Sequence, residues 1–512
     1  MTEIALFVLA FVLRLTARRG VPQDFDSHGH LYFAKELKAQ QQGPFGSITT
    51  KVIDGIGFSA PFLWHWIVGF FSIPFISKHQ RYWNPLIDSL FAVAIYSLTL
   101  HLGFSVDAAF LSIALYVLTP MWFSRLAVGP RIQSFSPRLS GELATNLFFV
   151  VVCLPLDLPA GLTLVIGVVL AGYVLASSKF GVQALLFLTP LISIFLASWL
   201  PLVALFLAVL MVAAVSKGMF LNSLKQQLSH LRWYFLKNLK GGMAVSNRNR
   251  FDELYRRRVG EGFSHYLARV LIMLIGRNAY TGLVLKLPAL WVSLTILVFW
   301  PNGDIAAFYW APVAAACILF VLINIPQLLF LGEAERYLNH VALFIVLFAV
   351  QAAVQSDLLW VYWVIAFYGF LYLVCEAMLL PMLNKQTVEN DADAAKVIEF
   401  LASQKPTTVL SYPYHAGGGV YRIMSETPHR TVFPFGTTDT FVKKLEKTYA
   451  AEYPYVDLSK LDDMRADFDV GILVARKKSI SERLSADWSP SSEWRELDLG
   501  LKSQRVFIYQ NV

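Results

Sequence analysis

Charge is what this sequence has least of. Asp, Glu, Lys and Arg make up 15% of its 512 residues, apolar residues make up 56%, and the mean hydropathy is positive. Soluble domains carry about 25% charged residues. That scarcity excludes a soluble globular protein, and repeated apolar runs of roughly 18 or more residues mark a polytopic α-helical membrane protein. Cysteine is scarce too. Cys153, Cys317 and Cys375 all lie inside apolar segments without metal-ligand spacing, which excludes a disulfide framework and a cysteine metal site. The chain also has no low-complexity tract, no internal repeat of fixed period and no glycine-rich phosphate loop.

What charge there is has a pattern. The net charge is +8, and ten basic residues fall between positions 217 and 258 against only Asp252 and Glu253. A basic stretch between apolar spans, here 217–260, reads as a cytoplasmic loop under the positive-inside rule. It can also meet anionic headgroups, each Lys or Arg contributing about 1 kcal/mol. This placement argues against nucleic acid as a partner. The apolar run at 4–15 is followed by Arg18 and Arg19 and lacks a small-residue cleavage site, so it reads as an uncleaved first span.

Twelve candidate spans fall at 3–18, 58–76, 85–103, 106–124, 141–157, 160–177, 181–198, 200–216, 279–300, 305–331, 338–355 and 357–383. A weaker thirteenth lies at 262–278 and reads equally as an amphipathic interfacial helix. With a cytoplasmic N-terminus, twelve spans leave the C-terminus in the cytoplasm and thirteen put it outside. Composition changes after Pro381, where charges begin to recur. Short β-type runs at 408–412, 430–435, 470–475 and 505–509 alternate with helix-like stretches at 392–404 and 441–452. The expected organisation is therefore a transmembrane domain at 1–383, with a first extracytoplasmic loop at 19–57, and a soluble α/β domain at 384–512. The run Gly417-Gly418-Gly419 reads as a turn rather than a phosphate cradle.

Three clusters of ionisable residues sit between spans, where charges are costly to keep without a use. The first holds Asp24, Asp26, His28, His30 and Lys35. Asp26 and His30 share a face if the stretch is helical. Asp24-x-Asp26 suits a divalent cation holding phosphate oxygens, and a carboxylate beside an acceptor can act as general base. Solvated interfacial acids are the plainer alternative. The second cluster is Arg125, Arg131, Ser136-Pro137-Arg138 and Glu142. Glu142 either complements a helix N-terminus or lines the same cavity as Asp26. The third is Gly332-Glu333-Ala334-Glu335-Arg336-Tyr337. There Arg336 either pairs a phosphate or makes a local salt bridge with Glu333 or Glu335.

The order Asp26, His30, Ala34, Gly43, then Ala60-Pro61-Phe62-Leu63-Trp64, with Ser136-Pro137-Arg138…Glu142 and Glu335-Arg336-Tyr337 further on, resembles the GT-C membrane glycosyltransferases. Within these it is most similar to the polyprenyl-phosphate-sugar-dependent lipid A aminoarabinose transferases and protein O-mannosyltransferases. The chain departs from their pattern at Ser27, where Glu is frequent, at Ala60, where Pro is frequent, and at His30, where Tyr is usual. The resemblance implies a GT-C fold of about 12–13 spans with the α/β domain outside. It implies inverting hexosyl or pentosyl transfer from a polyprenyl-phosphate donor to a lipid, glycan or protein acceptor, in a bacterial inner or plasma membrane with the site facing the extracytoplasmic side. Asp26, Asp24 and Glu142 become the candidate catalytic acids, and Asp26 the base. His30, Lys35, Arg138, Arg336 and Tyr337 become the substrate-binding set, Arg336 first at the lipid phosphate. Some members use a divalent metal; for Mg or Mn the ligands here would be Asp24, Asp26 and Glu142. A transporter or flippase of lipid-linked sugars is the rival, although transporter charges cluster midway within spans.

Overall fold

The computed structural model describes residues 1–19, 24–52, 57–59, 61–125, 131–233, 235–236, 249, 260, 262–299, 305–383, 385–432, 445, 447–451, 454–485 and 487–509. The chain forms two compact units. One comprises Met1–Arg19, His79–Gly218 and Tyr234–Leu380; the other comprises Gly20–Lys78, Met219–Trp233 and Pro381–Val512.

The first unit is all helical. Its centre is Ala342–Gln355, buried on nearly all sides and packed by Val106–Leu118, Pro288–Phe299 and Ala307–Ile323. A helix apolar all round belongs in such a core. Other helices keep one apolar face bare: Leu162, Val165 and Val169 on Ala160–Ser177, and Trp360, Val364, Phe367 and Leu371 on Leu359–Leu383. These exposed stripes, at helical spacing, face lipid. Among the described residues three helices are long and apolar enough to cross a bilayer alone, and five if bent pairs count as one span. Val106–Leu118, Lys179–Phe195, Ala307–Ile323 and Ala342–Gln355 are shorter apolar helices. Proline shapes the difference from twelve or thirteen uniform spans. Pro288 breaks 279–300 into two helices meeting at 88°, and Pro120 stops Val106–Leu118.

A buried ionic network ties this unit together. Asp88, fully buried on Ile73–His101, accepts from Arg14 Nε at 2.5 Å and from the Tyr116 hydroxyl at 2.6 Å. Arg14 also donates to the carbonyls of Val117, at 2.8 Å, and Tyr116. Arg131 donates to the Tyr116 hydroxyl at 2.8 Å and lies 3.5 Å from Asp88. One carboxylate thus serves two buried guanidiniums, which is what apolar surroundings require of charges.

The second unit carries a five-stranded sheet and the loop that follows the first helix of the chain. The loop forms α1 (Phe25–Ala39) and a hairpin of β1 (Ser47–Thr49) and β2 (Gly57–Ser59). Further on come β3 (Thr408–Tyr412), α2 (Val420–Glu426), β4 (Arg430–Thr431), β5 (Val470–Arg476), β6 (Trp494–Leu497) and β7 (Gln504–Tyr509). The sheet order is β4-β3-β5-β7-β6, with β3 parallel to β4 and β5, and β7 antiparallel to β5 and β6. Alternation sorts its faces: Leu410, Leu473 and Phe507 point into one cluster, Val409, Ile472, Val474 and Val506 into another. Both faces are covered, as parallel strands demand. The expected strands at 408–412, 470–475 and 505–509 are present. That at 430–435 is described only through β4 and Val432; half of the helix expected at 441–452 lies outside the described residues, and 445 and 447–449 are helical.

Three expectations change. Segment 58–76 is not a span: β2, the seven-residue helix Leu63–Gly69 and the start of Ile73–His101 divide it, with Pro61 and Pro74 at the breaks. The loop at 19–57 belongs with the C-terminal unit rather than with a 1–383 membrane domain, although the break after Pro381 does coincide with a unit boundary. The helix Met219–Trp233, inside the supposedly cytoplasmic basic loop, belongs to the same unit and lies against β2. Most of 234–260 lies outside the described residues.

Two predictions follow from these contacts. Asp88→Ala strands two buried guanidiniums and should lower stability by about 3–5 kcal/mol in thermal unfolding of the detergent-purified protein. A loss under about 1 kcal/mol would contradict the network's role. The second concerns acid. Burial pushes the His415 imidazole down from 6.5 to about 4, and Arg476 pushes the same way. The folded value is the lower one, so between those pH values the unfolded chain binds the extra proton; His415 contributes its stability above pH 6.5 and loses it towards pH 4. His415→Gln should flatten the acid loss of the sheet's amide-exchange protection across that window, and a slope equal to wild type would refute this.

Candidate active site

Asp24 and Asp26 take different places on α1. Asp24 is the N-cap: its Oδ1 accepts from the Ser27 amide at 2.9 Å and from the Ser27 hydroxyl. That role satisfies an N–H the helix start would otherwise leave bare. Asp26 stands in the first turn, exposed to solvent, where the helix dipole favours its charge. His30 follows one turn later on the same face, as its spacing requires. Its Nδ1 lies 2.8 Å from Nε2 of His65, a buried ring whose own Nδ1 has no partner among the described residues. Trp64 and Phe33 box the His30 ring edge-on. Burial pushes His28 down to about 4, Arg422 adds to this and Asp24 opposes it. Its 3.5 Å contact with Glu426 therefore joins a neutral ring to a carboxylate near neutral pH. Lys35 does not face the acids: its Nζ donates to the Ser425 carbonyl at 2.6 Å, at the C-terminal end of α2.

The first unit holds the other candidates. Pro137–Cys153 starts at its proline, with φ preset for the first turn, and carries Arg138 and Glu142. Glu142 is buried and its Oε2 lies 2.9 Å from Arg131 Nε, an ion pair whose angles fall short of a hydrogen bond. Asn146 bridges this helix to the third cluster, donating to the Glu142 carbonyl at 2.8 Å and the Asn339 carbonyl at 3.0 Å. Arg336 makes the local ion pair with Glu333, at 2.5 Å. Its guanidinium also lies over the Phe180 ring at 3.9 Å, and Arg138 lies over the same ring at 5.1 Å. One aromatic face thus gathers two cations.

Beside Phe180 is a small cleft with a cavity volume of about 10 Å³, lined by Phe180, Gln183, Leu331, Glu333, Arg336, Tyr337 and His340. Several of its polar groups are unsatisfied. The Tyr337 hydroxyl and both His340 ring nitrogens lack hydrogen-bond partners among the described residues, as does the nearby Arg138 Nε. His340 is only 1% exposed, and Arg131, Arg336 and Arg138 all act on it electrostatically. Buried donors left without partners cost stability unless a ligand meets them. Donors around a cationic rim suit an anion with several oxygens.

The sequence candidates therefore divide: Asp24, Asp26, His30 and Lys35 fall in one unit, and Glu142, Arg138, Arg336 and Tyr337 in the other. Phe180, His340 and His65 were not foreseen, whereas Arg131 belonged to the second cluster of the sequence. His340 had a signal, standing beside Asn339 at the mouth of an apolar segment; Phe180 had none, because its value comes from two distant arginines. Of the three carboxylates expected as metal ligands, Asp24 and Asp26 fall in one unit and Glu142 in the other. Asp24 is engaged by Ser27 and Glu142 by Arg131, and among the described residues no three His, Cys, Asp or Glu side chains converge on a point that could hold an ion.

No family model and no curated relative matches the chain. Solved structures do. ArnT from Cupriavidus metallidurans, bound to undecaprenyl phosphate, is 13% identical, with 99% of this chain and 97% of that one covered at a TM-score of 0.54. The Archaeoglobus fulgidus oligosaccharyltransferase in its apo form is 12% identical, with 96% and 73% covered at a TM-score of 0.51. At these identities the likeness is one of fold. The chain has the fold of the GT-C membrane glycosyltransferases.

Proposed function

We propose that this chain is a membrane glycosyltransferase that takes a hexose or pentose from a polyprenyl-phosphate carrier and transfers it, with inversion, to an extracytoplasmic lipid, glycan or protein. The observation that carries this reading is the pocket beside Phe180, whose unpartnered Tyr337 and His340 groups and stacked Arg336 and Arg138 suit a phosphate. Asp26 serves as base. It takes the proton of the acceptor hydroxyl as that oxygen bonds to the anomeric carbon, and the bond from that carbon to the phosphate oxygen breaks with its electron pair going to the lipid phosphate. Positive charge and donors held at that oxygen stabilise the charge that develops there. Asp24 holds the helix start and Lys35 the helix's docking, so neither takes part in the transfer. His30, one turn from Asp26, orients the acceptor. No step is assigned to a metal.

The first loop and the C-terminal domain form one compact unit, so they share a side of the membrane. With the N-terminus in the cytoplasm, this supports an extracytoplasmic C-terminal domain and an extracytoplasmic site. A bacterial inner membrane is the setting this reading takes.

The test is transfer from polyprenyl-phosphate sugars by membranes holding equal amounts of each variant. Asp26→Asn should reduce transfer about 100-fold or more, as expected for loss of a general base. Asp24→Asn should cost only a fewfold, since Asn also caps helices well, and EDTA should change nothing. An Asp26→Asn variant as active as wild type would remove Asp26 from the mechanism. Wild type that moves an intact lipid-linked sugar across vesicles without transferring it would establish the flippase instead.

A further inference from the structure

We infer that the C-terminal domain positions the catalytic carboxylate, with Tyr421 as the positioning residue that holds α1 and therefore Asp26 in place. The inference rests on the reading of Asp26 as base. It starts from an imbalance: Asp26 is exposed at the first turn of a 15-residue helix, and what fixes that turn comes from residues almost 400 positions away.

The docking is reciprocal. From α1, Phe25 places its ring edge-on to Tyr414 at 5.0 Å and tilted on Tyr421 at 4.8 Å. Gly419 makes room for it. With φ at +91° it adopts a backbone that side chains avoid, and a Cβ there would meet the Phe25 ring at 2.4 Å. From α2, Tyr421 presses onto Gly29, where a Cβ would come within 2.9 Å of its ring, and Phe33 packs against the same ring at 5.7 Å. Each helix thus inserts an aromatic ring where the other has glycine. Asp26 lies between Phe25 and Gly29 in sequence, so both insertions bracket it. Burial raises the Tyr421 phenol, and Asp26 adds to that shift, which makes the two side chains electrostatic neighbours.

Polar contacts close the edges of this interface. Lys35 Nζ donates to the Ser425 carbonyl at 2.6 Å, and Lys51 Nζ to the carbonyls of Met424 at 3.1 Å and Thr427 at 3.2 Å. Cations at a helix C-terminus are favourably placed. The Thr431 amide donates to the Lys51 carbonyl at 3.1 Å, joining the loop to β4, and the Lys51 amide donates to the Tyr32 hydroxyl at 2.7 Å. Gly419 is therefore the socket for Phe25, while Gly417 faces Val474 and Gly418 faces Arg422. A base held to within a fraction of an ångström of its acceptor is worth orders of magnitude in rate, so the domain's contribution to transfer is geometric.

The experiment pairs kinetics with amide exchange on the full-length protein in nanodiscs, comparing wild type, Tyr421→Ala, Tyr421→Phe, Phe25→Ala and the double alanine variant. Tyr421→Ala should lower kcat at least about tenfold while donor KM stays within about threefold, because the misplaced group acts in the transition state rather than in donor binding. It should raise exchange across 25–39 and leave β3, β5 and β7 protected. Tyr421→Phe keeps the ring and should retain most of the rate. Phe25→Ala should match Tyr421→Ala, and the double variant should be little worse than either, since both remove one interface. Faster exchange in 25–39 with an unchanged kcat would overturn the positioning role, as would unchanged exchange and kcat together. A wild type without transfer activity would overturn the glycosyltransferase reading and the catalytic half of this inference with it, while the exchange data would still report whether Tyr421 holds the helix.

Discussion

Asp88 carries the burden that the bilayer sets for this protein. Two arginines, Arg14 and Arg131, lie buried in an apolar helical unit, and that carboxylate answers both, with the Tyr116 hydroxyl linking Arg131 to Asp88. The arrangement is not a stability device in itself, since a well-packed apolar substitute can do as well. Its consequence is placement. Arg131 reaches Glu142 from one side and Asp88 from the other, so the network that satisfies the first helix also fixes the acid of Pro137–Cys153. Asn146 extends the link to Asn339, next to His340. Arg131, Glu142 and Asn146 thus link the buried network to the segment that carries Tyr337 and His340.

The second unit solves a different problem. A helix that begins in a loop and bears an exposed acid needs an outside reference, and α2 provides it through two rings and two glycines. The mixed sheet behind α2, with both faces covered, is a rigid support for that contact. Functional groups on a supported helix hold their geometry better than groups on a free loop.

How much of this could be read from the sequence varied with the range of the interaction. Hydropathy and the Asp26, His30, Ala34 spacing pointed to the fold class, because helical periodicity and helix starts are local properties. Strands β3, β5 and β7 were legible as short apolar β-branched runs between turn residues. Strand β6 was not, since in Trp494-Arg495-Glu496-Leu497 two exposed charged residues interrupt the apolar pattern, as an edge strand allows. Segment 58–76 misled because average hydropathy ignores Pro61 and Pro74. That Asp24 and not Asp26 caps the helix depended on one serine three residues after Asp24. The Phe25, Tyr421 and Gly419 interlock spans most of the chain and has no local signature at all. Likewise nothing around Phe180 announced that Arg138 and Arg336 would share its face.

The proposed function requires a lipid phosphate to bind beside Phe180. The most direct measurement is retention of undecaprenyl phosphate by the purified protein in native mass spectrometry, with phosphatidylglycerol as the competing anion. Wild type should retain undecaprenyl phosphate selectively, and Arg138→Gln combined with Arg336→Gln should weaken that retention at least about tenfold, as loss of charge-assisted hydrogen bonds requires. His340→Phe should weaken it by filling the pocket. Equal retention by wild type and all these variants would contradict the claim and place the lipid phosphate elsewhere in the protein.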